Sequence, residues 1–328
     1  MNGYYKMIRE KGETMDSVNI LDSTIQMVSV NKRKASHLVI CSRDHIRYLI
    51  SMSEGRKQLR RSLASYSIKL SLLIRFMNLI PESLLRRLQL GYYVKAVLKE
   101  DLRNPMEDIT EQRYGTRDCR WNVIVGTYDE KQKLVFQCFT EGKPPVYLKV
   151  GLKNTDKELR AEMDFLEESP KFSDFEVPKV LGSRRLGEGN RFNILITEEF
   201  TGDKVKPEAT KEIWRIFEEI ACHKRDPVEW ADVTQDCFSH GDFTPWNMRR
   251  KGNRYVVFDW EHCGQRFYGF DFIHYIYQTE TLINGRSPEE AVQTAVSEFV
   301  RYAGNRIEKE ALIRRYFTER ERCFENNQ

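Results

Sequence analysis

The sequence predicts an α+β protein, in which a small antiparallel-sheet lobe precedes a helical lobe and a basic, mainly helical extension precedes both. Three observations predict it. Short apolar segments that alternate in strand fashion cluster between residues 121 and 200, as half-buried antiparallel strands require. After residue 208 the apolar residues recur at three and four residue spacing, the period of a helix buried on one face. The first 110 residues carry 19 Lys plus Arg against 11 Asp plus Glu, while the remainder carries 34 against 38. The basic excess therefore belongs to one stretch, and the expected domains are 1–110, 111–200 and 201–328.

Taken in order, residues 36–50 open with the apolar run His37 to Cys41 and read as a strand followed by a helix. Beyond Gly55, Leu59, Leu63, Tyr66, Leu70, Leu73 and Phe76 recur at helical spacing with Arg and Lys between them. Pro81 ends that helix, and Pro-Glu-Ser starts a second one with proline near its first turn. The result is a helical hairpin over residues 56–98. Its apolar face either packs on the following domain or lies on an anionic membrane surface, with the basic residues reaching phosphates. The polar run from Arg103 to Asp118 reads as a linker.

Trp121 to Gly126, Lys133 to Phe139 and Val146 to Val150 form an antiparallel meander, the last two strands joined by the turn composition TEGKPP. Thr155 and Glu158 make a capping-box signature for a helix from Thr155 to Glu168. Val177 to Leu186 and Phe192 to Phe200 are two further strands. Helices follow from Glu208 to Lys224 and from Ser287 to about Phe317.

Composition narrows the class. Of 328 residues, 40% are apolar and 31% charged, enough for a sizeable core and incompatible with disorder along the whole length. The longest apolar-rich stretch, Ile68 to Leu98, is interrupted by Arg75, Asn78, Pro81, Arg86 and Arg87, so no membrane span is expected. The first residues show no secretory signal. Seven cysteines, odd in number and never in a CxxC pair, fit reduced thiols in the cytoplasm. No aromatic-interleaved basic strand marks a nucleic-acid reader, and no nucleic-acid partner is expected.

The chemistry is concentrated in SHGDFTPWNMRRKGNRYVVFDWEH, Ser239 to His262. A loop presents the carboxylate of Asp242 and, five residues on, the carboxamide of Asn247. An apolar strand, Tyr255 to Phe258, then delivers Asp259. Hard divalent cations take oxygen ligands of this kind, so Asn247 and Asp259 are candidates to hold Mg2+ while Asp242 accepts a proton. Glu261 is either a contributor to this site or a surface residue. His262, Cys263 and His274 match no zinc spacing.

HGDFTPWN followed by VVFDWE resembles the catalytic region of the aminoglycoside phosphotransferase and choline kinase family, small-molecule kinases on the protein-kinase fold. The resemblance covers about Cys119 to Gln328 and leaves the first 110 residues unexplained. It implies Mg·ATP as phosphoryl donor, Asp242 as catalytic base, and Asn247 and Asp259 as metal ligands. It also implies that Lys149 in VYLKV reaches the ATP phosphates with Glu162, or alternatively Glu158, as its acidic partner. Backbone groups of about Glu198 to Phe200 would hold the adenine, and Gly126 to Lys133 would cover the phosphates. Asp271 would brace the catalytic loop, with an N-cap as the equally physical reading, and His240 would orient it. No GxxxxGK[ST] occurs, which removes a P-loop mechanism.

The expected function is therefore ATP-dependent phosphorylation of a hydroxyl on a small molecule. Residues 249–328 hold 13 Lys plus Arg against 12 Asp plus Glu, no acidic excess for a polycationic aminoglycoside. The basic first third suits a sugar or a lipid-linked glycan precursor, and a peripheral position at the inner membrane surface. The alternative is a catalytically silent kinase-like protein. Intact Lys149, Asp242, Asn247 and Asp259 argue against it.

Overall fold

The computed structural model describes residues 20–42, 45–53, 81–88, 90–126, 132–152, 156–168, 171–186, 192–200, 202–223, 235–304 and 308–324. They belong to two compact units, one formed by residues 1–159 and 180–199 and the other by residues 160–179 and 200–328. Among the described residues no helix is long and apolar enough to cross a membrane.

The first unit begins with helix α1 (Ile20–Thr24) and strands β1 (Ile25–Ser29), β2 (His37–Ser42) and β3 (His45–Ser51). Helix α2 (Glu82–Arg87), strand β4 (Gly91–Leu98) and helix α3 (Glu100–Tyr114) follow. Strands β5 (Arg120–Val125), β6 (Lys133–Phe139) and β7 (Val146–Leu152) make the expected meander, then helix α4 (Asp156–Glu167) crosses to the second unit. After β8 (Phe175–Glu176), strands β9 (Val180–Leu186) and β10 (Phe192–Glu198) return to the first. Nine of these strands form one antiparallel sheet in the order β1-β4-β2-β3-β5-β6-β7-β10-β9.

One face of that sheet is the core. Leu134, Phe136 and Cys138 on β6, Val146, Leu148 and Val150 on β7, and Ile194 and Ile196 on β10 are buried together with Leu102, Met106 and Ile109 of α3. Each such side chain removed from water contributes about 1.5–3 kcal/mol. Lys149 sits between Leu148 and Val150 on the other face, half-buried, with Val135 and Leu195 as its cross-strand neighbours.

The N-terminal third corrects four expectations. Its described residues are not mainly helical: four strands among them join the sheet, and β3 pairs directly with β5. The segment His45–Ser51, read as helix, is a strand, because Ile46, Tyr48 and Ile50 lie at a spacing of two with a β-branched or aromatic residue at each position. The hairpin expected over residues 56–98 lies mostly outside the described residues. Its described part is the short α2 followed by β4, whose Gly-Tyr-Tyr-Val start favours an extended chain and whose backbone is paired on both edges, by β1 and β2. The polar run read as a linker is helical from Glu100 to Tyr114. Leu102, Met106 and Ile109 supply the buried stripe, and Gly115 ends the helix with φ 75° and its N–H on the Glu111 carbonyl at 2.8 Å. Pro105 costs this helix one hydrogen bond near its start, which burial of the stripe outweighs.

Polar groups stitch these strands to the meander. The Ser51 N–H donates to Asn122 Oδ1 (3.0 Å), Asn122 Nδ2 to Gln137 Oε1 (2.9 Å) and Gln137 Nε2 to the Tyr147 hydroxyl (3.2 Å). His37 on β2 stacks on Trp121 of β5 at 4.0 Å. Its Nε2 lies 3.1 Å from the Trp121 carbonyl, which only accepts, so Nε2 carries the proton and Nδ1 accepts from Ser36 Oγ at 2.9 Å.

The second unit is built around aromatic packing. After β11 (Asp203–Lys204) come helix α5 (Lys211–Ala221), strands β12 (Asp236–Ser239), β13 (Met248–Lys251), β14 (Arg254–Val257) and β15 (Gly264–Phe267), and helix α6 (Phe270–Gln278). A π-helical turn, Thr279–Ile283, leads to α7 (Pro288–Ala303) and α8 (Lys309–Phe324). Trp214 and Phe217 of α5 meet Phe272 of α6 and Phe299 of α7 at ring separations of 4.9–6.4 Å. The last helical stretch is thus two helices. Ser287 and Glu290 cap the first with a reciprocal capping box, and Gly304 ends it. Thr155, expected to cap α4, lies outside the described residues.

Burial lowers the His37 pKa from 6.5 to about 4, and its hydrogen bond to the Trp121 carbonyl offsets only part of that. Between these values the unfolded chain holds a proton that the folded one does not, so stability falls as pH falls through this window and the loss is complete below about pH 4. The loss reaches about 3 kcal/mol at most. We expect His37→Gln to remove this slope in denaturant titrations between pH 7 and 4; an unchanged slope would assign the acid sensitivity to other groups.

Candidate active site

The site assembles from the end of β12 through the start of α6, within the second unit. Ser239 ends β12, and the chain turns sharply at Gly241, whose φ is +86°. A Cβ there would lie 2.1 Å from the His262 carbonyl oxygen, so only glycine fits. The turn is held by Asp271, in the first turn of α6 and 2% exposed. Its carboxylate accepts from Ser239 Oγ (2.8 Å), the His240 N–H (2.7 Å) and the Gly241 N–H (3.0 Å).

His240 is fully buried and fixed at both nitrogens. Nε2 donates to the Phe258 carbonyl at 3.0 Å, and Nδ1 accepts from the Asp242 N–H at 3.2 Å. Burial holds its pKa below the ordinary value, against the pull of Asp271, Asp242 and Asp259. It stays neutral and orients the loop.

Asp242 is engaged at both carboxylate oxygens. Asn247, on the 3-10 turn Pro245–Asn247, donates through Nδ2 to Asp242 Oδ2 (2.8 Å) and to the Asp242 carbonyl (2.9 Å). Asp242 Oδ1 lies 3.1 Å from His274 Nε2. Burial alone would raise the Asp242 pKa, yet the hydrogen bond from His274, the largest of the opposing influences, helps to bring it below the ordinary carboxylate value. Asp242 is therefore ionised at neutral pH and able to accept a proton. Because both hydrogens of Asn247 Nδ2 point at Asp242, the acceptor atom Oδ1 is the part of Asn247 suited to a cation.

The Asn247 carbonyl accepts from the Phe258 N–H at 3.1 Å, which sets the loop beside the next segment. Asp259 has φ +71°, the sole non-glycine residue with positive φ among the described residues. Such backbone costs on the order of 1–3 kcal/mol and persists only where its surroundings enforce it. Trp260 enforces it here. Its ring is fully buried, stacks on Phe165 at 4.0 Å and donates through Nε1 to the Val257 carbonyl at 2.9 Å. The Trp260 N–H donates to Glu162 Oε1 at 3.3 Å.

Carboxylate oxygens of Glu162, Asp259 and Glu261 all lie within 4.8 Å of one another, and His262 Nε2 is 3.6 Å from Glu261 Oε1. Three carboxylates at this separation repel unless a cation or proton intervenes. An all-oxygen donor set is what Mg2+ requires, so the residues present fit a divalent cation.

Of the residues singled out from sequence, Asp242, Asn247, Asp259, His240, Asp271 and Glu162 come together in this unit. Phe200 is in the same unit, its ring 4.5 Å from that of Phe258. Lys149 and Glu198 belong to the other unit, where Glu198 Oε1 accepts from Arg113 at 2.6 Å. Glu158, the alternative partner for Lys149, forms an ion pair with Lys133 at 2.7 Å. Most of the expected phosphate-covering loop, residues 127–131, lies outside the described residues. Glu261, left open by the sequence, stands in the carboxylate cluster. His274 was missed as a partner of Asp242. The available signal was its spacing of three from Asp271, which puts both on one face of α6.

Residues 197–297 match the model of the phosphotransferase enzyme family. No curated protein sequence matches the chain. Among solved structures, an amicoumacin kinase in complex with AMP-PNP and Ca2+ is similar at 16% identity and TM-score 0.42, over 61% of this chain and 78% of that one. A microcompartment-associated aminopropanol kinase matches at 13% identity and TM-score 0.44, over 66% and 87%. A spectinomycin phosphotransferase in complex with ADP matches at 11% identity and TM-score 0.44, over 69% and 89%.

Replacing Asp271 by Ala leaves the buried His240 N–H without its acceptor, at a cost of about 1–3 kcal/mol, and the Gly241 N–H with Ser239 Oγ alone at 3.1 Å. We expect Asp271→Ala to lower the unfolding midpoint in urea and to abolish activity, with Asp271→Asn, which keeps one acceptor oxygen, intermediate in both. Equal stability of Asp271→Ala and the parent would show that the loop is held by other contacts.

Proposed function

We propose that the protein is an ATP-dependent phosphotransferase that moves the γ-phosphoryl group of ATP to a hydroxyl on a small molecule. The observation that carries this reading is Asp242, ionised and gripped by Asn247, in the same unit as the carboxylates of Asp259, Glu261 and Glu162. The family match over residues 197–297 supports it.

In this reading Asp242 aligns the acceptor hydroxyl and takes its proton. The hydroxyl oxygen forms a bond to the γ-phosphorus as the bond from that phosphorus to the β–γ bridging oxygen breaks, and ADP leaves. Asn247 through Oδ1 and Asp259 would hold Mg2+, with Glu261 beside Asp259, and the ion would supply charge neutralisation at the phosphates. Lys149, with Glu162 as acidic partner, binds phosphate oxygens, and backbone groups of residues 198–200 hold the adenine. Both roles rest on the motif resemblance. His240 and Asp271 keep the loop in the shape that presents Asp242, so catalysis is chiefly positioning and charge stabilisation.

The finer reading is a sugar or lipid-linked glycan acceptor handled in the cytoplasm. It rests on the basic excess of residues 1–110 and the lack of an acidic excess in residues 249–328. Contact of residues 56–98 with an anionic membrane surface rests on charge and composition alone.

Incubation with Mg·ATP and a panel of hydroxylated small molecules, sugars and lipid-linked glycans, followed by mass spectrometry, tests the reaction; a gain of one phosphoryl group on an acceptor is the expected result. Asp242→Asn should keep nucleotide binding and lower transfer by about 10² or more, the scale for a positioned base. Unchanged turnover would remove Asp242 from the mechanism. Asp259→Ala should lose Mg2+-dependent ATP binding in calorimetry, and parental affinity in that variant would place the metal elsewhere.

A further inference from the structure

His274 and Tyr316 lie outside the motif residues, yet both are fully buried and joined to Asp242 in one line. His274, on α6, has Nε2 at 3.1 Å from Asp242 Oδ1 and Nδ1 at 3.0 Å from the Tyr316 hydroxyl of α8. Neither ring is exposed at all. The Phe270 ring lies nearly parallel to the imidazole, 9° apart at 5.6 Å, and packs on Tyr316 at the same separation.

The direction of the hydrogens follows from the end group. An ionised carboxylate only accepts, so Nε2 must carry a hydrogen. With that single hydrogen on the ring, Nδ1 is an acceptor and the Tyr316 hydroxyl donates to it. Burial pushes the phenol pKa well above its ordinary value, so that donor is always present. Gln278, one turn along α6, flanks the contact with its amide nitrogen 3.4 Å from Nε2. Arg320, Tyr277 and Cys323 are the other polar or charged groups that act on Tyr316.

A histidine needed only for packing among Phe270 and Tyr316 has no use for two polar atoms in a site closed to water, where each unpaired one costs about 1–3 kcal/mol. Here one meets Oδ1 of Asp242 and the other meets the Tyr316 hydroxyl. The other Asp242 oxygen is fixed by Asn247. A carboxylate held at both ends cannot rotate about χ2, which defines the direction from which it takes a proton.

We propose that His274 is a positioning residue for Asp242 and that Tyr316 sets the imidazole tautomer that lets it act; this rests on the phosphotransfer reading above. The Tyr316 hydroxyl donates to Nδ1, Nε2–H donates to Asp242 Oδ1, and the carboxylate is thereby aimed at the acceptor hydroxyl. His274 itself is fully buried and acts through Asp242.

The test compares His274→Leu, His274→Gln and Tyr316→Phe with the parent for kcat, KM for Mg·ATP and melting temperature, together with 15N–1H spectra of the parent and Tyr316→Phe imidazoles. His274→Leu should lower kcat by about 10- to 100-fold, the scale for losing the partner that orients a functional group, with KM for Mg·ATP unchanged. His274→Gln, whose amide donates to Oδ1, should recover most of that loss. The parent spectrum should show His274 as the Nε2–H tautomer, and Tyr316→Phe should mix the tautomers and lower kcat. The proposal is overturned if His274→Gln is no faster than a folded His274→Leu, or if the parent carries its proton on Nδ1. If the parent phosphorylates no acceptor in the panel, the phosphotransfer reading fails, and the tautomer spectra alone still decide whether Tyr316 and Asp242 fix the ring.

Discussion

The carboxylate of Asp271 is the interaction on which the site depends. It is nearly inaccessible to water, and it accepts one side-chain and two backbone donors from three successive residues of the loop. A buried anion is tolerated only when its lone pairs are filled, and the loop fills them by turning at Gly241, where no side chain fits. The start of α6 and the end of β12 are thereby locked to each other. His240, Asp242 and His274 then take up directions set by that joint, because His240 and Asp242 flank Gly241 directly and His274 is one turn beyond Asp271.

The strained backbone of Asp259 has a comparable origin. Trp260 is buried against Phe165 and Phe238 and tied to the Val257 carbonyl. With the tryptophan fixed on one side and β14 on the other, Asp259 has little choice of φ. Positive φ turns its side chain to where Glu162 and Glu261 also bring oxygens. Packing of a large aromatic thus holds the backbone that brings three carboxylates together.

Much of the loop was legible in the sequence because its requirements are local: Gly241 for the turn, Asp242 and Asn247 five apart, an apolar strand before Asp259. The meander was legible for the same reason, since alternation in β5, β6 and β7 reports burial of one face directly. The N-terminal third was not, because beyond the local β2–β3 pairing its strands depend on distant partners, β1 and β2 on β4 and β3 on β5. β4 reads as apolar with few polar interruptions, and that pattern fits a buried helix as well as a strand paired on both edges. Only its neighbours β1 and β2 decide between them. In α3 the proline and the charged residues masked a stripe of three apolar residues. His274 was harder to read for a third reason: its spacing of three from Asp271 marks a shared helix face, but its role lies in a hydrogen bond to a residue 32 positions earlier, and spacing says nothing of tautomer.

The pairing of β3 with β5 has a further consequence for anyone who trims the chain to the part that the motifs explain. A fragment starting near Cys119 would leave Trp121 to Val125 as the outermost strand, with the backbone groups that now meet β3 open to solvent. An apolar strand with an unblunted edge is a template for pairing with another copy of itself. The first third therefore shields the sheet against self-association, and a shortened chain would be expected to fail by aggregating before it failed in chemistry.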